Sequence, residues 1–115
     1  MTEGLVVLCT CPDEATAERI ARTLVTDHLA ACVNRIGPLR STYLWKGDLQ
    51  DEPEVLLVIK TLRARYEALE MRLRALHPYE VPEIIALPIL AGSKRYLAWM
   101  VEETGLEGPD GTHHD

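Results

Sequence analysis

Apolar residues along this chain follow two different periods, and the switches between them mark its elements. Leu5-Val6-Val7-Leu8-Cys9-Thr10 is a short apolar run with two valines, which reads as a central strand. Pro12 suits the first helical position, with Asp13 and Glu14 in a first turn where carboxylates complement the helix dipole. Ala17, Ile20, Ala21, Leu24 and Val25 then repeat at helical spacing, predicting an amphipathic helix over 13–28. Two strands follow over 30–46 and 49–61, joined by the turn Lys46-Gly47-Asp48. Within the second, Val55-Leu56-Leu57-Val58-Ile59 is continuous and apolar, which predicts burial on both faces. A second helix is predicted over 63–76 with Tyr66, Leu69, Leu73 and Leu76 inward, and with Arg63/Glu67 and Glu70/Arg74 as i,i+4 pairs on its wet side. Ile84 to Ile89 reads as a fourth strand. Gly92-Ser93 opens a short third helix carrying Tyr96, Trp99 and Met100 on one side and ending at Gly105.

The order βαββαβ plus a terminal helix is the ferredoxin-like arrangement of the α+β class. Right-handed crossovers place both long helices on one face of an antiparallel sheet. The expected organisation is one domain over 1–106 and an acidic disordered tail over 107–115, without repeats or linkers.

The middle hairpin is too long for such a domain. Seventeen extended residues span about 55 Å, whereas a compact chain of this length is about 35 Å across. Gly37-Pro38 and Pro53 suggest bends or bulges, yet the tip carries Tyr43, Leu44 and Trp45, which are unfavourable in water. The hairpin is therefore expected either to fold back or to bury itself against a neighbouring subunit.

Composition narrows the class. Hydrophobic residues make up 47% and charged residues 26% of the 115, an ordinary globular balance. Phe is absent, so the core must be aliphatic with Tyr and Trp for bulk. No apolar run approaches the ~20 residues of a membrane span, and Met1-Thr2-Glu3-Gly4 lacks the basic start of a signal peptide. A cytoplasmic protein without membrane partners is expected. The net charge of −6 is concentrated at the C-terminal end, where five acids and no base lie between Glu102 and Asp115. The remaining body is nearly neutral and gives no electrostatic footprint for nucleic acid. Three cysteines form neither a disulfide framework nor a zinc-type pair, which suits reduced thiols.

The segment His77-Pro78-Tyr79-Glu80-Val81-Pro82-Glu83 sets an imidazole, a phenol and two carboxylates inside seven residues. Pro78 disfavours helix at His77, leaving the ring at a helix C-terminus. Pro82 and Pro88 bracket the following strand and place it at a sheet edge or irregular boundary. A second constellation, Trp45, Lys60, Tyr79, Glu54 and Trp99, would form an apolar-walled pocket with a few polar groups if neighbouring hairpins meet the His77 corner. Alternatively Trp45 and Trp99 are interface anchors and Lys60 pairs with Glu54 or Glu83. Cys9 and Cys11 are two apart on a strand and face the same way, either as small buried hydrophobes or as holders of a soft ion. Cys32, between Ala31 and Val33, reads as core, and His113-His114 is a site for adventitious metal.

The His77–Ile89 run resembles the signature of the CutA divalent-cation-tolerance family, and other blocks match in order: Val6 to Thr10 with Pro12, Leu29 to Asn34, Ser41 to Gly47 with Tyr43 and Trp45, Lys60-Thr61, and Tyr96 to Trp99. The resemblance covers roughly residues 4 to 103. It implies a trimeric ring in which each hairpin extends a neighbour's sheet, with an assembly like that of the PII signalling proteins. By position it implies a metal site at Cys9, His77 and Glu83, for which copper or zinc suits the donors. The chain departs from some family members at Leu76, where a second His stands before the His-Pro step. The functional expectation is a non-catalytic trimer that binds divalent metal or a small ligand in an inter-subunit cleft. The alternatives are an enzyme using Cys9 or His77, and a structural trimer displaying surfaces to a partner protein.

Overall fold

The computed structural model describes residues 2–105, so the expected tail, with His113 and His114, lies outside the described residues. The elements run β1 (Gly4–Cys11), α1 (Glu14–Thr26), β2 (Cys32–Trp45), β3 (Asp48–Leu62), α2 (Arg63–Leu76), β4 (Ile85–Pro88) and α3 (Lys94–Glu103). The sheet is antiparallel in the order β2-β3-β1-β4, the ferredoxin-like order expected from the periodicity. Among the described residues no helix is long and apolar enough to cross a membrane.

Side-chain alternation decides which face is covered. Val7, Cys9 and Cys11 of β1 and Val55, Leu57 and Ile59 of β3 pack against Ile20 and Leu24 of α1 and Leu69 and Leu73 of α2. Val6, Leu8, Leu56 and Val58 point to the opposite face and are half-buried. The expectation of burial on both faces is thus corrected for the single chain: both helices lie on one side, and among the described residues nothing covers the other. A second small cluster, Ala31, Leu62 and Met100, seats α3 against the far end of the sheet.

Local chemistry moves several boundaries. Asp13 is the N-cap of α1 rather than a first-turn residue: its backbone is extended and its carboxylate accepts from the Thr16 N–H at 2.7 Å, so Pro12 precedes the helix. The helix stops at Thr26 and the chain reverses through His28 at φ 60°, with the Ala30 N–H returned to the Leu24 carbonyl. Ala30 and Ala31 are consequently buried connector rather than strand. Arg63 pairs with Glu3 at 3.6 Å, not with Glu67, while Glu70 and Arg74 lie 3.9 Å apart as an i,i+4 pair. The Ser93 hydroxyl caps α3 by accepting from the Tyr96 N–H. Met100 turns inward, but Tyr96 and Trp99 stack on each other, 5.4 Å apart, on an exposed face.

β2 and β3 form the long hairpin. Trp45 pairs with Asp48, so the turn is the two residues Lys46 and Gly47, at φ 51° and 87°. Two positive φ values give the mirror-image turn whose twist matches paired strands. The register shifts between Ile36 and Leu39, at the cis Gly37–Pro38 step, so the anticipated bend is a bulge. Below it the hairpin belongs to the sheet; above it the ribbon leaves the domain. The molecule measures 53 × 25 × 22 Å with a radius of gyration of 15.2 Å, against about 13 Å for a compact chain of this length.

Candidate functional site

The connection from α2 to β4 crosses the end of β1 and divides two environments. α2 ends because His77 is extended, at φ −80° and ψ 135°, ahead of Pro78. The His77 ring is buried, and both nitrogens are engaged. Nε2–H donates to the Thr10 carbonyl at 2.8 Å, and Nδ1 accepts from the Tyr79 N–H at 3.1 Å. These two bonds fix the tautomer and tie the corner to β1. The Tyr79 ring lies 4.8 Å from the imidazole, tilted by 50°.

On the helix side of β1, Cys9, Cys11 and His77 bring potential ligand atoms within 4.8 Å of one another, all three residues buried. Both thiols are free. The Cys9 thiol is pushed well up by its hydrogen bond to Cys11, then by burial and by the negative charges of Cys11, Glu83 and Glu54. Accepting that bond brings Cys11 down, against burial and the Glu54 charge. Two thiols and an imidazole are soft to borderline donors that suit copper or zinc. The arrangement fits such an ion in donor type, provided that His77 gives up one of its two bonds and both thiols their protons.

On the opposite side the same connection walls a cleft of about 790 Å³. Thr10 lies at the end of β1, and Tyr79, Glu80, Val81 and Glu83 form one wall. One face of the projecting hairpin forms the other: Ser41, Tyr43 and Trp45 from β2, and Gln50, Glu52 and Glu54 from β3. The period of two and the pairings Ser41–Glu52 and Tyr43–Gln50 put these side chains together. Glu54 is 5% exposed and accepts from the Tyr79 hydroxyl at 2.8 Å. Burial, then that bond and the Glu54 charge, keep the Tyr79 phenol protonated far above its ordinary range.

The residues singled out in the sequence therefore separate. Cys9 and His77 come together, and Cys11 joins them. Glu83 lies instead on the cleft wall, exposed, close enough for its charge to be felt at Cys9. Trp45, Glu54 and Tyr79 share the cleft. Lys60 does not: in register with Val6 and Cys32, it donates to the Asn34 side chain on the open face of the sheet, so pairing with Glu54 or Glu83 is corrected. Trp99 is on α3, away from the cleft lining. Glu52 and Gln50 were missed, although the hairpin register would have found them by placing them opposite Ser41 and Tyr43.

The sequence profile described as CutA1 divalent ion tolerance protein matches residues 5–103. The divalent-cation tolerance protein CutA of Thermus thermophilus is 49% identical over 100 residues, covering 87% of this chain and 97% of that protein. Mouse Protein CutA is 46% identical over 103 residues, covering 90% of this chain; the chain spans 58% of the mouse protein. Among solved structures, CutA from the plant pathogen Xylella fastidiosa matches with a TM-score of 0.88 at 41% identity, covering 90% of this chain and 99% of that one.

Proposed function

The chain belongs to the CutA1 divalent ion tolerance family, and from that premise we propose that it is a non-catalytic homotrimeric metal-binding protein, taking copper or zinc at Cys9, Cys11 and His77 with Glu83 nearby. The observation that carries this reading is the convergence of two thiols and an imidazole within 4.8 Å at the end of β1. The group would be held by side chains alone, and binding would transfer protons from the thiols to solvent. Reduced thiols also suit a reducing compartment such as the cytoplasm.

Assembly is supported by two features. The hairpin tip exposes Leu44 and Leu49 by 70% and 72%, and the uncovered sheet face exposes Ile36, Ile85 and Leu87 by about half. A second copy is the simplest cover for a ribbon that leaves its own domain. The number three rests on the family likeness. Against an enzyme, both β1 thiols are fully buried and occupied with each other, whereas nucleophilic catalysis needs an accessible sulfur beside a free base.

The test is calorimetric titration of the full chain with zinc and with copper, alongside C9S, C11S and H77A. The tail imidazoles are common to every variant and cancel in the comparison. One site per chain, weakened at least tenfold in each variant, is expected. Unchanged affinity in both C9S and H77A would leave the structural-trimer alternative standing. Sedimentation checks assembly: a well-folded monomer at micromolar concentration refutes it.

A further inference from the structure

We infer that the ion held by Cys9, Cys11 and His77 is monovalent copper in a three-coordinate site, which discriminates against zinc and other divalent ions. The inference rests on the metal reading proposed above and narrows it by oxidation state and coordination number. The donors set the first limit. Among the described residues, Cys9, Cys11 and His77 are the whole cluster whose ligand atoms lie within 4.8 Å of one another. No carboxylate belongs to it, since Glu83 stands exposed on the cleft wall. Structural zinc takes four protein ligands, and zinc held by three keeps a water in the fourth position. Such a water needs a route to solvent. Cys9 and Cys11 are 0% exposed and His77 is 7% exposed, and both thiols belong to the main core, so the cluster faces packed side chains.

Three donors of this kind suit a different ion. Thiolate is soft and imidazole borderline, a set that selects Cu(I), which accepts lower coordination numbers than zinc. The strand fixes the two sulfurs: Cys9 and Cys11 are two apart, point together to the helix side of β1 and are joined by a hydrogen bond. The imidazole is oriented in advance. Its Nε2–H donates to the Thr10 carbonyl at 2.8 Å, the kind of backbone bond that holds a ligating histidine in one tautomer, and the lone pair is left on Nδ1. Ligation there displaces only the Tyr79 N–H, which Nδ1 accepts at 3.1 Å. Charge alone would favour a divalent ion, since two thiolates leave Cu(I) with one net negative charge. Coordination number, softness and the lack of a solvent-facing position decide against it.

The full chain, kept free of oxygen, is titrated with Cu(I) against the chromophoric chelator bicinchoninate and with zinc against a zinc indicator, in parallel with C9S, C11S, H77A and C32S. One strong Cu(I) site per chain is expected, with a Kd at least about a hundredfold below that for zinc. C9S, C11S and H77A should each weaken Cu(I) at least about tenfold, and C32S, whose thiol lies outside the cluster, should leave it unchanged. X-ray absorption of the copper-loaded parent should show two sulfurs and one nitrogen, a readout that needs no variant to fold. Zinc bound as tightly as Cu(I), and weakened by C11S, would overturn the inference and leave the metal reading intact. A fourth ligand or an oxygen in the absorption spectrum would do the same, as would equal Cu(I) affinity in the parent and C11S. Affinities for both ions that none of C9S, C11S and H77A changes would overturn both readings.

Discussion

Replacing Tyr79 by Phe removes one oxygen and leaves the ring where it stacks on His77, which isolates the hydrogen bond to Glu54. That bond is 2.8 Å long, and its acceptor is 95% buried. A hydrogen bond to a charged group contributes about 1.5–3 kcal/mol, and the loss falls towards the upper end when the remaining partner is left buried and unpaired. Y79F should therefore cost about 2–3 kcal/mol. With a urea slope of about 2 kcal/mol/M for a chain of this size, the unfolding midpoint moves down by about 1–1.5 M. The diagnostic is the second arm of the cycle. E54Q keeps an acceptor oxygen and discards the buried charge, so alone it should cost about 1 kcal/mol or less. Introduced into Y79F, it should restore stability, because the group that had lost its partner no longer carries charge. All four proteins are compared at one concentration, since assembly would add a concentration-dependent term. A Y79F variant within about 0.5 kcal/mol of the parent, or a double variant whose losses simply add, would refute the claim that this carboxylate depends on that hydroxyl.

Three further outcomes are expected. Brief labelling with a thiol reagent near neutral pH should modify Cys32, which is half-buried, before Cys9 and Cys11, which should react on unfolding; fast labelling of Cys9 would favour the enzyme alternative. Burial and then the 2.9 Å bond to Glu70 raise the Tyr66 phenol. Because its folded value lies above the unfolded one of about 10, its contribution to stability is complete below that pH and fades as pH rises through the folded value; the difference titration at 295 nm between the parent and Y66F should show a late-ionising phenol, and an ordinary one would sink the point. Gly47→Ala should cost about 1 kcal/mol through its φ of 87° alone, since no heavy atom lies within 4 Å of the added Cβ; no loss in thermal unfolding would mean that the turn relaxes freely.

Much of the fold was legible because periodicity reports burial directly. Leu69 and Leu73, four apart, had to face the same core, and Pro78 had to end the helix that carries them. Boundaries slipped where one side chain chose between two backbone roles. Asp13 could sit in a first turn or cap it, and its bond to the Thr16 N–H, not its identity, decides. The site was legible by half. Cys9 and His77 lie 68 residues apart, yet a strand end and a helix end joined by a crossover must meet at one edge of the sheet. Lys60 and Trp99 were misassigned because their type suggested a pocket, whereas strand register and helix phase carry them elsewhere. Glu52 was overlooked for the converse reason: an exposed glutamate on a polar ribbon looks ordinary until Ser41 fixes which face it shares with Tyr43 and Trp45.

The sharpest disagreement between pattern and structure concerns Leu56 and Val58, read as doubly buried and found half-buried. A polar residue at either position would suit a sheet face that met only water. The uncovered side also carries Val6 and Leu8, with Ile36, Ile85 and Leu87 about half exposed, and the hairpin tip adds Leu44 and Leu49. Covering the last five would remove roughly 1–2 kcal/mol of unfavourable hydration each. Their sum, about 5–10 kcal/mol per chain, is comparable with the rotational and translational freedom lost when copies associate. Apolar residues that one chain cannot cover, at a magnitude that offsets association, fit a sequence selected for the assembled state.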